Sequence, residues 1–174
     1  MHPLIPQVVG IFAVLTFLLS YQLKRRRSII LLNALSRLLY ILQYLLLGAY
    51  AGAVLDILGT LSSLVAAKKE TPFIKRHAAL VFLSINLLIV AAGLAVCFFN
   101  ASALDLLPIA GVLLHTSAFW LSDERVIRRV SLLGSPFWLA YNLVSRAYGS
   151  AVGDLLTMIS ILTAMLRYRR KEKA

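Results

Sequence analysis

Long apolar runs recur along the whole chain, separated either by a short basic cluster or by almost nothing. A helix that crosses a bilayer needs about 20 mostly apolar residues, because each residue advances it by only about 1.5 Å through roughly 30 Å of hydrocarbon. Seven such runs stand out, at 3–22, 29–47, 50–67, 78–98, 104–121, 130–146 and 148–166. The second and third are joined only by Leu47-Gly48-Ala49-Tyr50, and the sixth and seventh by Arg146-Ala147-Tyr148-Gly149. Fusing one of these pairs gives six spans, the alternative count. Hydrophobic residues make up 60% of the chain and charged residues 14%. A soluble domain is about 45–50% apolar, so this chain has too little polar surface to cover a water-soluble globule. The expected fold is all-α: a polytopic membrane protein with a lipid bilayer as its first partner.

The charges support an odd number of spans. Lys24–Arg27 follow the first run, and Lys68, Lys69, Lys75 and Arg76 follow the third. Arg125, Arg128 and Arg129 follow the fifth, and Arg167, Arg169, Arg170, Lys171 and Lys173 follow the seventh. All but two of the 18 Lys and Arg residues therefore fall on one side of a seven-span layout, the exceptions being Arg37 and Arg146. Basic loops stay in the cytoplasm, so the N-terminus is expected outside and the C-terminus inside. The first run has no Lys or Arg before it and a basic cluster after it, the reverse of a secretory signal peptide. A net charge of +11 is compatible with nucleic-acid binding. Here, however, the basic residues sit in clusters between apolar runs, without a basic face or an aromatic RNA-binding motif, so no nucleic acid is expected. The single cysteine, Cys97, excludes an internal disulfide framework.

The chain also repeats itself. Shifting the first half by 98 positions sets Ser36 on Gly134, Tyr40 on Trp138, Gln43 on Tyr141 and Tyr44 on Asn142. The same shift sets Asn33 on Ser131, Tyr50 on Tyr148, Asp56 on Asp154 and Lys69 on Arg167. Pro6 meets Pro108 at a slightly larger offset. General apolarity explains Leu on Leu; it does not explain Asp on Asp and Tyr on Tyr in one register. The chain is thus expected to divide into a three-helix repeat over 1–69, a linker helix over 70–100, and a second three-helix repeat with a basic tail over 101–174. One intervening span gives both copies the same orientation, a parallel repeat about the membrane normal.

Polar residues concentrate on single faces of the repeated runs. Asn33, Ser36, Arg37, Tyr40, Gln43 and Tyr44 follow three- and four-residue steps, as do Ser131, Ser135, Trp138, Tyr141 and Asn142. Asp56, Thr60 and Ser63 share a face of the third run, and Asp154 and Thr157 one of the seventh. Polar groups within a bilayer turn toward protein or water, so the four faces should meet inside the bundle. One reading is a solute path between the repeats, with Tyr40, Tyr44, Trp138, Tyr141 and Asn142 as solute contacts. The other is polar adhesion between helices.

Four residues carry or can carry charge within the runs. Asp56 and Asp154 lie in the first turns of their helices, where the dipole favours an anion; each either braces the neighbouring turn or couples transport to a proton or cation. Arg37 has Ser135 at its repeat position. It pairs with a carboxylate, contacts a solute, or extends its long stem toward the cytoplasm. His115 has no counterpart and acts either in hydrogen-bonded packing or as a proton relay. Tyr21, Trp120 and Tyr168 mark one membrane boundary and Tyr50 and Tyr148 the other. Pro136 is expected in the first turns of the sixth helix, where it removes a backbone donor and either kinks the helix or simply opens it.

His2, His77 and His115 do not make a metal-ligand spacing, and no phosphate loop, nucleophile elbow or HExxH motif is present. No enzyme activity, metal or cofactor is expected.

The segments YQLKRRRSIILLN at Tyr21–Asn33, LLGAYAGAVLD at Leu46–Asp56 and SPFWLAYN with GSAVGD within Ser135–Asp154 resemble the bacterial YgjV-type inner-membrane proteins. The resemblance covers nearly the whole chain and implies location in the bacterial inner membrane. The 3+1+3 layout is similar to that of SWEET sugar transporters, PQ-loop proteins and PnuC vitamin-precursor transporters, and Pro6-Gln7 resembles a PQ motif. SWEET-like proteins bind solute between two triple-helix bundles through Asn and aromatic residues on paired helices. That likeness implies a small-solute transporter or facilitator, with Tyr44/Asn142 and Tyr40/Trp138 at the solute. The competing expectation is a non-transporting scaffold or accessory protein. Either is compatible with an oligomer.

Overall fold

In the computed structural model the backbone is described for residues 4–20, 26–121 and 123–171, and side chains for these residues except 20, 26–34, 124, 164 and 167–171. Among the described residues the chain is all-helical, with no strand. The helices are α1 (Leu4–Ser20), α2 (Arg26–Leu47), α3 (Tyr50–Ala66), α4 (Pro72–Arg76), α5 (Ala78–Asn100), α6 (Leu106–Trp120), α7 (Glu124–Val144) and α8 (Tyr148–Lys171). A three-residue 3-10 turn, Ala103–Asp105, leads into α6. The cluster Lys24–Arg27, the tail's basic side chains, Asn33, Tyr21 and Tyr168 have side chains outside the described residues.

By length and composition, Ala78–Asn100 and Ala103–Trp120 are long and apolar enough to cross a membrane. Leu4–Leu19, Leu35–Leu47, Tyr50–Ala66 and Tyr148–Thr163 are shorter apolar stretches. The shortfall has a physical cause in α7. Asp123 caps that helix, accepting a hydrogen bond from the Arg125 backbone N–H at 2.8 Å. Helix thus begins six residues before the expected start, and Arg125, Arg128 and Arg129 form its first turns rather than a loop. Consequently Pro136 stands in mid-helix. It lies on an exposed face, and its ring removes the N–H that would otherwise bond the Leu132 carbonyl. The small α4 was not foreseen; Thr71-Pro72 places proline at its first position, where the missing N–H is already surplus.

The packing runs in a regular order. α1 lies against α2, and α2 against α3; α6 lies against α7, and α7 against α8. α3 packs on α6 and α8 packs on α1, while α5 covers α3 and α6 from outside. The α1–α8 contact is close enough that a Cβ on Gly149 would sit 2.5 Å from the Gly10 backbone. The buried centre includes Tyr44, Leu55, Ile89, Ile109, Val112, Trp138 and Tyr141. The outer faces are apolar. On α2 these are Leu35, Leu38, Leu42 and Leu45, one side of the helix, with Ser36, Gln43 and Tyr44 buried on the other. α5 buries only Ile89 and Gly93.

The two short joints adopt the same closure. Gly48 (φ 69°) and Arg146 (φ 57°) both take the left-handed conformation. The N–H of Ala49 donates to Tyr44 O (2.9 Å) and that of Ala147 to Asn142 O (2.8 Å). The N–H of Gly48 reaches Leu45 O and that of Arg146 reaches Leu143 O. Each is a complete Schellman motif, which satisfies the last carbonyls of one helix and starts the next at once. Both turns place their final buried polar residue, Tyr44 or Asn142, at the same point relative to the bend.

Candidate functional site

The closing turns of α2 and α7 bring their polar faces together. Tyr44 Oη donates to Asn142 Oδ1 at 2.9 Å, and Asn142 Nδ2 donates to Asp154 Oδ2 at 2.7 Å. On either side of this bond lie two others. Ser150 Oγ on α8 donates to Gln43 Oε1 at 2.7 Å, and the Gly52 N–H on α3 donates to Tyr141 Oη at 2.9 Å. The second satisfies a donor in the first turn of α3 that has no partner within its own helix. The rings stack as well: Tyr44 lies 6.3 Å from Trp138 at 28°, and Trp138 meets Tyr141 edge-on at 6.4 Å. Tyr44, Trp138, Tyr141 and Asn142 are only 3%, 7%, 2% and 1% exposed. The interface is closed at this level.

Seven residues back along α2, roughly 10 Å deeper at the helical rise, Arg37 Nη1 donates to Asp56 Oδ1 (3.1 Å) and Thr60 Oγ1 (3.3 Å). Of the open alternatives for Arg37, the structure has it in an ion pair with α3. Its side chain is 32% exposed and that of Asp56 is 15% exposed. Asp56 Oδ2 is buried with no hydrogen-bond partner among the described residues. Asp154, on α8, is half-buried. Two carboxylates and one guanidinium therefore share the interior, the second carboxylate being held by an amide.

His115 lies on α6, with Nε2 2.9 Å from Ser131 O and 3.4 Å from Ser135 Oγ, so it joins α6 to α7. The contact with a carbonyl places the proton on Nε2. Tyr40 is half-buried, its hydroxyl packed at Gly153 of α8. Tyr40 and Trp138, 98 positions apart, have different neighbours: Gly153 of α8 for Tyr40, and Gly111 of α6, Tyr44 and Tyr141 for Trp138. Among the described residues no group of three or more His, Cys, Asp and Glu gathers as a metal centre.

Two contributors went unnoticed in the sequence. Ser150 is one; the shift of 98 that sets Gln43 on Tyr141 also sets Gly52 on Ser150, so its bond to Gln43 answers that of Gly52 to Tyr141. Lys69 is the other: its Nζ donates to the carbonyls of Leu121 (2.9 Å) and Trp120 (3.4 Å), which caps the end of α6. Nothing in the local pattern around Lys69 distinguishes it from a solvated charge.

A family profile described as bacterial inner membrane protein, Imp-YgjV, matches residues 4–172. The chain belongs to this family. Neither a curated protein nor a solved structure matches it. For an Imp-YgjV protein the surroundings are a bilayer, which accounts for the exposed leucines of α1, α2, α5 and α8 and for a polar network turned inward.

Proposed function

We propose that the chain is a seven-span transporter or facilitator of a small solute, built as two parallel three-helix repeats around the linker α5. Its N-terminus lies outside and its C-terminus in the cytoplasm. The observation that carries the reading is the Tyr44–Asn142 bond, which joins positions 98 residues apart, the offset of the proposed repeat, as a contact on a two-fold axis would. The flanking Gln43–Ser150 and Gly52–Tyr141 bonds exchange under the same shift. The packing supports the relation too: α3 on α6 answers α8 on α1, and α4 and α5 form the unpaired linker. Behind this seam the Arg37–Asp56 pair and Asp154 place ionic groups where simple helix adhesion has no need of them, since a charge in mid-bundle is expensive. In this reading the seam is the closed state of one end of the path, and rocking of the bundles breaks its three bonds.

One observation favours a second reading, a non-transporting scaffold. The aromatic and amide groups are buried and satisfy one another directly. The two readings part on one experiment. Purified protein is screened by thermal shift against sugars, nucleosides and vitamins, and any stabilising class is followed for uptake into vesicles by the native chain and by Gln43→Ala, which removes a flanking seam bond while leaving Tyr44 and Asn142 in place. A stabilising class that is taken up, at a rate the variant changes, supports transport. A stabilising class that is not taken up, or uptake that the variant leaves unchanged, favours the scaffold, and the lack of any stabilising class counts against transport of these three classes.

A further inference from the structure

The short helix α4 is unlike every other helix in the chain. It buries no residue. Phe73 on it is 71% exposed, and its ring lies 5.2 Å from that of the exposed His77. A five-residue helix has no stability of its own in water, and here its protein support is slight: Ile74 is half-buried and α5 is a packing neighbour. It nevertheless sits at a defined height. Lys69, just before it, is tied to the last carbonyls of α6, and α5 starts two residues after it. At this level Trp120 meets Phe82 edge-on at 5.7 Å, an aromatic pair of the kind that marks a membrane boundary. Lys68, Lys75 and Arg76 are exposed around Phe73. Glu70 approaches Lys75 at 3.6 Å, but both side chains are more than 70% exposed, and such pairs contribute little.

We infer that α4 lies in the headgroup plane of the bilayer, with Phe73 inserted among the acyl chains and Lys68, Lys75 and Arg76 on anionic headgroups. An apolar ring beside a basic cluster is the combination that binds an interface through both buried area and charge. The segment is thereby an anchor that sets the height of α3 and α5 in the membrane. This inference does not depend on transport.

The lone cysteine makes the test direct. A nitroxide is placed at Phe73→Cys in a Cys97→Ser background, where serine retains the bond that the thiol makes to Ser102 O. The protein is reconstituted in phosphatidylcholine alone and in phosphatidylcholine with phosphatidylglycerol. Collision with oxygen relative to a water-soluble nickel chelate reports depth, and a label at the lipid-facing Leu80 on α5 reports that the bundle is inserted. The ratio at position 73 should rise several-fold when phosphatidylglycerol is present. The rise should vanish in Lys68→Gln/Lys75→Gln/Arg76→Gln, because each basic residue near an anionic surface strengthens attachment roughly fivefold. A water-like ratio in both membranes overturns the inference. So does equal insertion in both that ignores the triple variant. Should a cysteine at 73 prevent insertion, the unlabelled chain carries the test. Phosphatidylglycerol must then raise its melting temperature over phosphatidylcholine, and the triple variant must lose that gain; equal gains overturn the inference.

Discussion

Replacing Tyr44 by Phe removes one hydroxyl from the centre of the seam and nothing else. The ring keeps its stack on Trp138, but Asn142 Oδ1 loses its donor. Both residues are almost fully buried, so water has no easy access to the orphaned carbonyl. In a water-soluble core, leaving such a group unpaired costs about 1–3 kcal/mol. In a bilayer the unfolded reference also finds partners, and measured inter-helix bonds average about 0.6 kcal/mol with a ceiling near 1.7. The 2.9 Å length and the near-complete burial of both residues put Tyr44→Phe in the upper part of that range, about 1–1.5 kcal/mol. Asn142→Ala should cost more, because it also frees Asp154 Oδ2. The assay is a double-mutant cycle on reversible unfolding in mixed micelles. A coupling between the two substitutions of at least about 0.6 kcal/mol is expected. Additive effects within about 0.3 kcal/mol refute the reasoning, since residues without a shared bond behave that way.

Arg37→Ala leaves the Asp56 carboxylate unpaired and should destabilise by about 2–3 kcal/mol, below the 3–5 of a fully buried pair because Arg37 is a third exposed. Adding Asp56→Asn should recover much of that loss in the same unfolding assay. Arg146→Gly relieves a left-handed residue at the α7–α8 turn and should raise stability by about 1 kcal/mol, while Gly48→Ala, with open space around its Cβ but the same backbone conformation, should lower it by a similar amount. Gly149→Ala pushes a methyl into the backbone of Gly10 and should cost about 1–3 kcal/mol or force α1 and α8 apart, measured by unfolding and by cross-linking of the two helices.

Much of the site was visible in the spacing of a few polar residues, and the reason is physical. A helix carries its register rigidly, so the three- and four-residue steps of Ser36, Tyr40, Gln43 and Tyr44 fixed one face before any contact was known. Asn142 belongs to the matching polar face 98 positions further on, and it shares a bond with Tyr44. Pairing of faces was less legible, because it depends on how helices slide past each other. Tyr40 lies at Gly153 of α8 while Trp138 turns to Tyr44, although the two occupy related positions. Helix ends were misplaced where one residue decides. Asp123 starts α7 early by capping it, and the arginines that look like a loop become its first turns. The contact of Lys69 with α6 crosses 52 residues of sequence and left no local trace.

The seam also has a consequence in time. Gln43 and Tyr44 are made long before their partners, which follow 107 and 98 residues later. At a synthesis rate of about 5–20 residues per second, the first three helices wait roughly 5–20 s before α7 and α8 reach them. During that interval an amide, a phenol and the Arg37–Asp56 pair stand at the open side of a half-built bundle. They need lipid headgroups, water or an assembly factor to cover them. The nascent half-protein is therefore the form most exposed to membrane proteolysis, and a chain truncated after α5 should be cleared rapidly while the full chain persists.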